Sequence, residues 1–403
     1  MNIDRHLFYL QFHFIFSSSL LIIFYHALTC FIQRRYDLLP QAREEISEFS
    51  VYKHGKTVAE LKDELGVSEI IKLGSNENML GISPKAVEAI KAHAEECYFY
   101  PEPASTILAR KIAERYGFDA NQVVVGAGTT DIIEMVALAY FEDDDKVIVP
   151  HPSFIMYPIA TALMDAEMVR TPLKNWVVDV DAIIDAIDSD TKAIFLANPN
   201  NPTGTIITTS EMDRLITKVP ENVLLVLDEA YSDMVESDDY PDSMTIIQER
   251  KNVITLRSMS KSYGLAGMRV GFAVGSEEVV ANLTRVKKPF NVTRLAQEAA
   301  IAALDDPEFI KKTREYLAKG RNYLYKEFKR LNIFYVPTET NFILTVMDSD
   351  EKAKRCYDYL MNRGIITRYM GNWGVSGGLR ITIGLKWQNE RVIKAMEEFL
   401  SRS

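Results

Sequence analysis

One lysine on a short polar turn, with an arginine eight residues beyond it, carries the densest chemistry in this sequence. The stretch is Ser258-Met259-Ser260-Lys261, followed by Gly267-Met268-Arg269-Val270-Gly271. Runs 252–256 and 270–274 on either side are apolar and read as short buried strands bounded by turn residues. A lysine held between two such strands points into a cleft, loses hydration and becomes an amine nucleophile toward a carbonyl. The arginine and the neighbouring serines suit an anion such as a phosphate ester. Taken alone, the pattern also fits a solvated surface lysine, which is where most lysines sit.

Two upstream segments supply its context. Asn201-Pro202-Thr203-Gly204 follows the apolar run 192–196, and Asp228-Glu229-Ala230-Tyr231 follows the apolar run 223–227. Continuous apolar runs of this kind suit strands covered on both faces, as in a parallel sheet flanked by helices. The polar groups after them then lie at carboxyl ends of strands, where open α/β sheets bind ligands. Separately, Asp228 also fits a helix N-cap and the Asn-Pro-Thr-Gly segment an ordinary turn. Together they form one set: an amide at Asn201, a carboxylate at Asp228, a phenol at Tyr231 and an amine at Lys261. A pyridoxal phosphate site needs that set. The lysine joins the aldehyde, the carboxylate keeps the ring nitrogen protonated as an electron sink, and the amide and phenol serve the ring oxygen.

With these motifs in this order, the chain resembles the fold-type I pyridoxal-phosphate aminotransferases, and among them the histidinol-phosphate branch. The resemblance runs from about residue 72 to the C-terminus. It rests on Asn76-Glu77-Asn78, Tyr100-Pro101-Glu102-Pro103, the two segments above, 258–271, Glu339-Thr340-Asn341-Phe342 and Leu379-Arg380-Ile381-Thr382-Ile383-Gly384. It implies that Lys261 is catalytic. It implies that Gly128, Thr129, Thr130, Ser258 and Arg269 hold the cofactor phosphate, and that Phe154 stacks on the ring where relatives commonly carry tyrosine. Tyr100 matches a tyrosine that reaches the cofactor phosphate of a neighbouring subunit, which implies a homodimer with shared sites. Arg380 matches the arginine that pairs with the α-carboxylate of the amino donor, and Arg368 one that contacts the substrate phosphate. Asn78 and Asn341 are further matches for substrate binding. The implied reaction is transamination between histidinol phosphate and 2-oxoglutarate, in histidine biosynthesis. Relatives acting on aromatic or other amino acids share most of these motifs, as does a decarboxylase of a phosphorylated amino acid, and a protein that keeps the fold only to bind is a third class. One departure concerns the substrate side: Met79 stands where relatives usually have proline.

The elements that must position these residues follow from the pattern. Gln122 to Val125 reads as a strand entering Gly126-Ala127-Gly128-Thr129-Thr130-Asp131, and 132–140 as an apolar helix. A strand, a glycine-rich turn and a helix start leave free N–H groups for an anion, although a cap from Thr129 or Asp131 fits the same residues. Strand and helix patterns alternate to about residue 275, which predicts an α/β fold with a mostly parallel central sheet flanked by helices. Segments 297–304 and 307–331 read as helices, and 342–346 and 379–383 as strands of a smaller α+β lobe. The expected division is a hydrophobic segment 1–40, an N-terminal part of the small domain 41–95, a large cofactor-binding domain 96–305 and a C-terminal small domain 306–403. Arg380 sits inside a strand pattern, where a charge is unusual unless it faces a site or lies on an edge in water.

Composition agrees with an ordinary globular enzyme: 403 residues, 47% hydrophobic and 25% charged. A net charge of −10 argues against a nucleic-acid partner, so anionic substrates must be met by local arginines. Three cysteines, at 30, 97 and 356, suit a reducing compartment, and neither they nor the six histidines show metal-ligand spacing. These features point to a cytoplasmic enzyme. The apolar tract 7–32 is long enough to cross a bilayer and is followed by Arg34 and Arg35, which would leave the catalytic part cytoplasmic. The same tract also reads as an upstream extension from a misassigned start, and least well as a secretory signal.

Overall fold

The computed structural model describes residues 69–402, with Glu60, Lys62 and Gly66 before them. The apolar tract 7–32 and the expected segment 1–40 around it lie outside the described residues. Among the described residues, no helix is long and apolar enough to cross a membrane.

Fourteen strands are described, β1 to β14 in chain order: Ile71–Lys72, Val123–Gly126, Lys146–His151, Glu167–Lys174, Val177–Val178, Thr191–Ala197, Leu224–Asp228, Val253–Ser258, Gly271–Gly275, Phe334–Val336, Phe342–Val346, Ile365–Ile366, Arg368–Tyr369 and Gly378–Thr382. Eight form one sheet in the order β2-β9-β8-β7-β6-β3-β4-β5. Its centre, from β4 to β8, is parallel. β9 turns back antiparallel on β8, and β2 on β9. That reversal brings Ser258 opposite Gly271 and leaves Lys261 in the connection between them.

The run-on apolar patterns of β6 and β7 follow from burial on both faces. Every residue of β7 is buried, and two large apolar clusters cover the sheet from opposite sides. One cluster takes Ile194, Leu196, Leu225 and Leu227, and the other Ala193, Phe195, Leu224 and Val226. Adjacent residues of each strand therefore face opposite helical layers.

A second, antiparallel sheet has the order β10-β11-β14-β13, and β1 pairs in parallel with β12. Ile71 and Leu73 pack in one apolar cluster with Leu317, Phe342, Ile381 and Phe399, so the chain around residue 71 is built into the same layer as the C-terminal residues. Helix Pro307–Arg330, 24 residues long, starts on an Asp306 cap with proline in its first turn and runs between the two sets of elements. β14 is an interior strand, paired on both sides by β11 and β13. Arg380 on it is 4% exposed, so the reading of Arg380 as an edge-strand arginine in water does not hold.

Candidate active site

Three neighbouring parallel strands deliver the first polar groups. β6 ends at Ala197 and leads to Asn201, β7 ends on Asp228, and β8 ends on Ser258 three residues before Lys261. Asp228 is 4% exposed in an otherwise apolar strand. Its Oδ2 accepts from the Tyr157 hydroxyl at 2.9 Å and its Oδ1 from the Ala230 N–H at 3.2 Å. Burial nevertheless pushes its carboxyl up to about 6, against those two bonds and the charge of Lys261.

Lys261 is shifted the other way. Burial, reinforced by the Arg380 guanidinium, brings its ammonium down to about 8, with Arg269 adding to the effect and Glu77 and Asp228 opposing it. Nζ donates to the Ser75 carbonyl at 3.3 Å and lies 5.7 Å from the centre of the Tyr231 ring. Tyr231 is buried, and its hydroxyl accepts from the Asn76 amide at 2.9 Å. An acid pushed up and an amine pushed down, in one cleft, are typical of groups set to exchange protons.

The turn after β2 has the expected anion-cradle form. Helix Thr129–Tyr140 begins after Gly128, which has φ of 86°, and no side chain caps that first residue. Asp131 does not cap the helix; its Oδ2 accepts from the preceding Ala127 N–H at 2.7 Å, with Asn291 donating to the same oxygen. The first N–H groups of the helix are thereby left to a ligand. A methyl at Gly128 would lie 2.6 Å from Nη2 of Arg269, so only glycine lets that guanidinium close over the turn. Arg269 itself donates to Ser260 Oγ at 3.4 Å, and Ser258 Oγ accepts from the Ser260 N–H at 3.2 Å. Thr129 is buried and Thr130 half-buried at the same turn.

Phe154 is half-buried and meets Tyr157 edge-on, with ring centres 5.6 Å apart. On the other side, Arg380 donates through Nη1 to the Asn201 side-chain oxygen and through Nη2 to the Gly74 carbonyl at 3.0 Å. Arg368 stands directly across from Arg380 in the β13–β14 pair, and its Nε donates to the same Gly74 carbonyl at 3.4 Å. Two guanidiniums thus converge on one point beside the lysine.

Not every expected residue opens onto this cleft. The Asn78 amide nitrogen donates to the Ser262 carbonyl and to Thr313 Oγ1, and its oxygen accepts from the Leu80 N–H. Both donors of its carboxamide are thus engaged within the protein. Asn341 is fully buried and donates to the Asn76 carbonyl, while its Oδ1 accepts nothing. Met79 donates its N–H to the Tyr316 hydroxyl at 3.3 Å, a bond that proline at this position would lack. Tyr100 is 81% exposed and stacked on Phe290, next to the Asn291 that serves the cradle's Asp131. Sequence reasoning missed Tyr157 and Asn76 as groups that hold Asp228 and Tyr231. A tyrosine in the apolar helix Met156–Leu163 gives no signal apart from its spacing to Phe154.

A family model described as aminotransferase class I and II matches residues 68–396. This chain is a class I and II aminotransferase. The aminotransferase is 41% identical over 364 residues to the histidinol-phosphate aminotransferase of Moorella thermoacetica, covering 90% of this chain and 94% of that one. It is 38% identical to the enzyme of the same name from Symbiobacterium thermophilum, covering 90% and 99%. Among solved structures, the histidinol-phosphate aminotransferase of Sinorhizobium meliloti in complex with pyridoxal-5'-phosphate has the same fold. It superposes with a TM-score of 0.83 at 23% identity, covering 90% of this chain and 98% of that one.

Proposed function

We propose that this aminotransferase uses pyridoxal 5'-phosphate to exchange the amino group between histidinol phosphate and 2-oxoglutarate. The observation that carries the reading is the converging pair Arg368 and Arg380 beside a buried amine, in a chain about 40% identical to enzymes of that name. The residues fit the cofactor. The uncapped helix start with Gly128, Thr129, Thr130, Ser258 and Arg269 would hold its phosphate, and the donors Asn201 and Tyr231 its ring oxygen. Asp228 would hold the ring nitrogen, with Phe154 against the ring face. When bound, this cofactor supplies an electron sink for negative charge that develops at the substrate Cα.

The chain's own groups do the rest. Lys261 Nζ, near 8 and free to lose its proton close to working pH, takes the proton from the substrate Cα. Burial of Asp228 excludes water from its carboxylate and strengthens its attraction for a cation placed against it. Arg380 and Arg368 bind the anionic ends of donor and acceptor, which orients the Cα–H bond toward the lysine. We also propose a working division into the lobes 96–305 and 306–403, with 41–95 joined to the second. The partner is a second copy of the chain, and the exposed run Tyr98-Phe99-Tyr100 suits that contact. Placement is proposed as cytoplasmic, in keeping with the free cysteines Cys97 and Cys356.

A panel of amino donors, with 2-oxoglutarate as the acceptor, tests this reading. The cofactor-loaded protein is expected to convert histidinol phosphate with 2-oxoglutarate at much higher kcat/KM than aromatic amino acids. Preference for a non-phosphorylated donor, or carbon dioxide release without an acceptor, would overturn it.

A further inference from the structure

Arg380 does not stand alone on its strand. Its guanidinium lies 5.2 Å from the centre of the Phe342 ring and 5.9 Å from that of Trp373. Phe342 belongs to the neighbouring strand β11, whereas Trp373 arrives from the connection 370–377 between β13 and β14. That connection is tied down at both ends by one carboxylate. Asp350, the first residue of helix Asp350–Met361, accepts from the Tyr369 hydroxyl where the connection starts and from the Gly377 N–H at 3.1 Å where it ends. Its base is sealed by Met370 and Val375, both buried against Val336 and Leu344. Its far side meets the large sheet. Gly374, with φ of 81°, lies so close to the His151 imidazole that a methyl there would sit 2.5 Å from Nε2. Trp373 is therefore held by a pinned, self-closed strap, and its half-buried indole is presented to the arginine.

We propose that Trp373 is a specificity-determining residue and Asp350 a positioning residue for carboxylate substrates. The inference rests on the reading of Arg380 as the carboxylate site. A guanidinium 4% exposed with two rings beside it is shielded from water, which strengthens its pairing with a carboxylate. Lys261 and the cofactor groups lie outside the strap and meet it only through Arg380, which donates to Asn201, so loosening the strap weakens carboxylate binding far more than cofactor binding.

The test uses the cofactor-loaded protein with Trp373→Ala, Trp373→Phe, Asp350→Asn and, as control, Arg380→Lys. Two quantities are read: the dissociation constant of maleate, a non-reacting dicarboxylate, and the half-saturation and limiting rate of the single-turnover half-reaction with L-glutamate. Trp373→Ala is expected to weaken maleate and glutamate about 10-fold, as for loss of one desolvated cation–π contact. Its limiting rate and its pyridoxal phosphate affinity each stay within about 3-fold, while Trp373→Phe restores binding. Asp350→Asn moves in the same direction. Wild-type affinities in Trp373→Ala, with Arg380→Lys impaired, overturn the strap's role and leave the carboxylate site standing. Wild-type affinities in Arg380→Lys as well overturn both.

Discussion

Replacing Asp228 with asparagine removes a carboxyl whose burial raises it from an ordinary 3.8 to about 6. Because the folded value is the higher, the folded chain holds this proton more tightly than the unfolded chain. The stability tied to it is complete below pH 3.8 and is lost as pH rises through about 6. The full loss is roughly 3 kcal/mol in the cofactor-free protein. About half has accrued by about pH 5 and all of it by about pH 8, so the two conditions differ by about 1.4 kcal/mol. An asparagine does not ionise and is free of this term. The stability of cofactor-free Asp228→Asn relative to wild type should therefore improve by about 1.4 kcal/mol from about pH 5 to about pH 8, whatever constant cost the lost Tyr157 contact adds. Urea unfolding of both cofactor-free proteins at the two pH values measures it. In the cofactor-loaded enzyme the same substitution should cost about 100-fold or more in turnover, through loss of a charged partner for the ring nitrogen. A stability difference that does not change with pH would refute the burial argument for Asp228.

Three further outcomes follow from the same geometry. Tyr157→Phe removes the 2.9 Å donor to Asp228 and should weaken pyridoxal phosphate binding roughly 10- to 100-fold, read by cofactor titration, since bonds to charged groups contribute about 1.5–3 kcal/mol. Gly128→Ala puts a methyl 2.6 Å from Arg269 and should lower cofactor affinity about 10-fold or more, while leaving an acceptor profile measured at saturating cofactor unchanged. In the cofactor-free protein, acylation of the Lys261 amine should rise with pH about a midpoint near 8, because the depressed ammonium loses its proton there. A midpoint near the ordinary lysine value would contradict its burial.

The cofactor side of the site was legible because each group directly follows an apolar run. The ends of β6, β7 and β8 place Asn201, Asp228 and Lys261 together once the strands lie side by side. The Gly128 turn was readable as a cradle or as a capped helix, and the sequence left both open. The structure shows no side-chain cap on the helix start, and Asp131 accepts instead from the Ala127 N–H that precedes the helix. Contacts between distant segments were not legible. Tyr157 meets Asp228 across 71 residues, and nothing local marks it as more than a core aromatic. The strap's anchoring on Asp350 depends on which helix start lies behind β13, which no spacing reveals. Asn78 likewise makes long-range contacts that its motif does not show. Its motif matches that of the resembled family, yet its amide is spent on Ser262, Thr313 and Leu80.

The most direct measurement is chemical. Protein loaded with pyridoxal phosphate, reduced with borohydride, digested and mapped by mass should carry a pyridoxyl group on Lys261, and a Lys261→Ala protein should carry none and lose its yellow colour. A label on another lysine, or an unlabelled Lys261 in fully loaded wild type, would contradict the account.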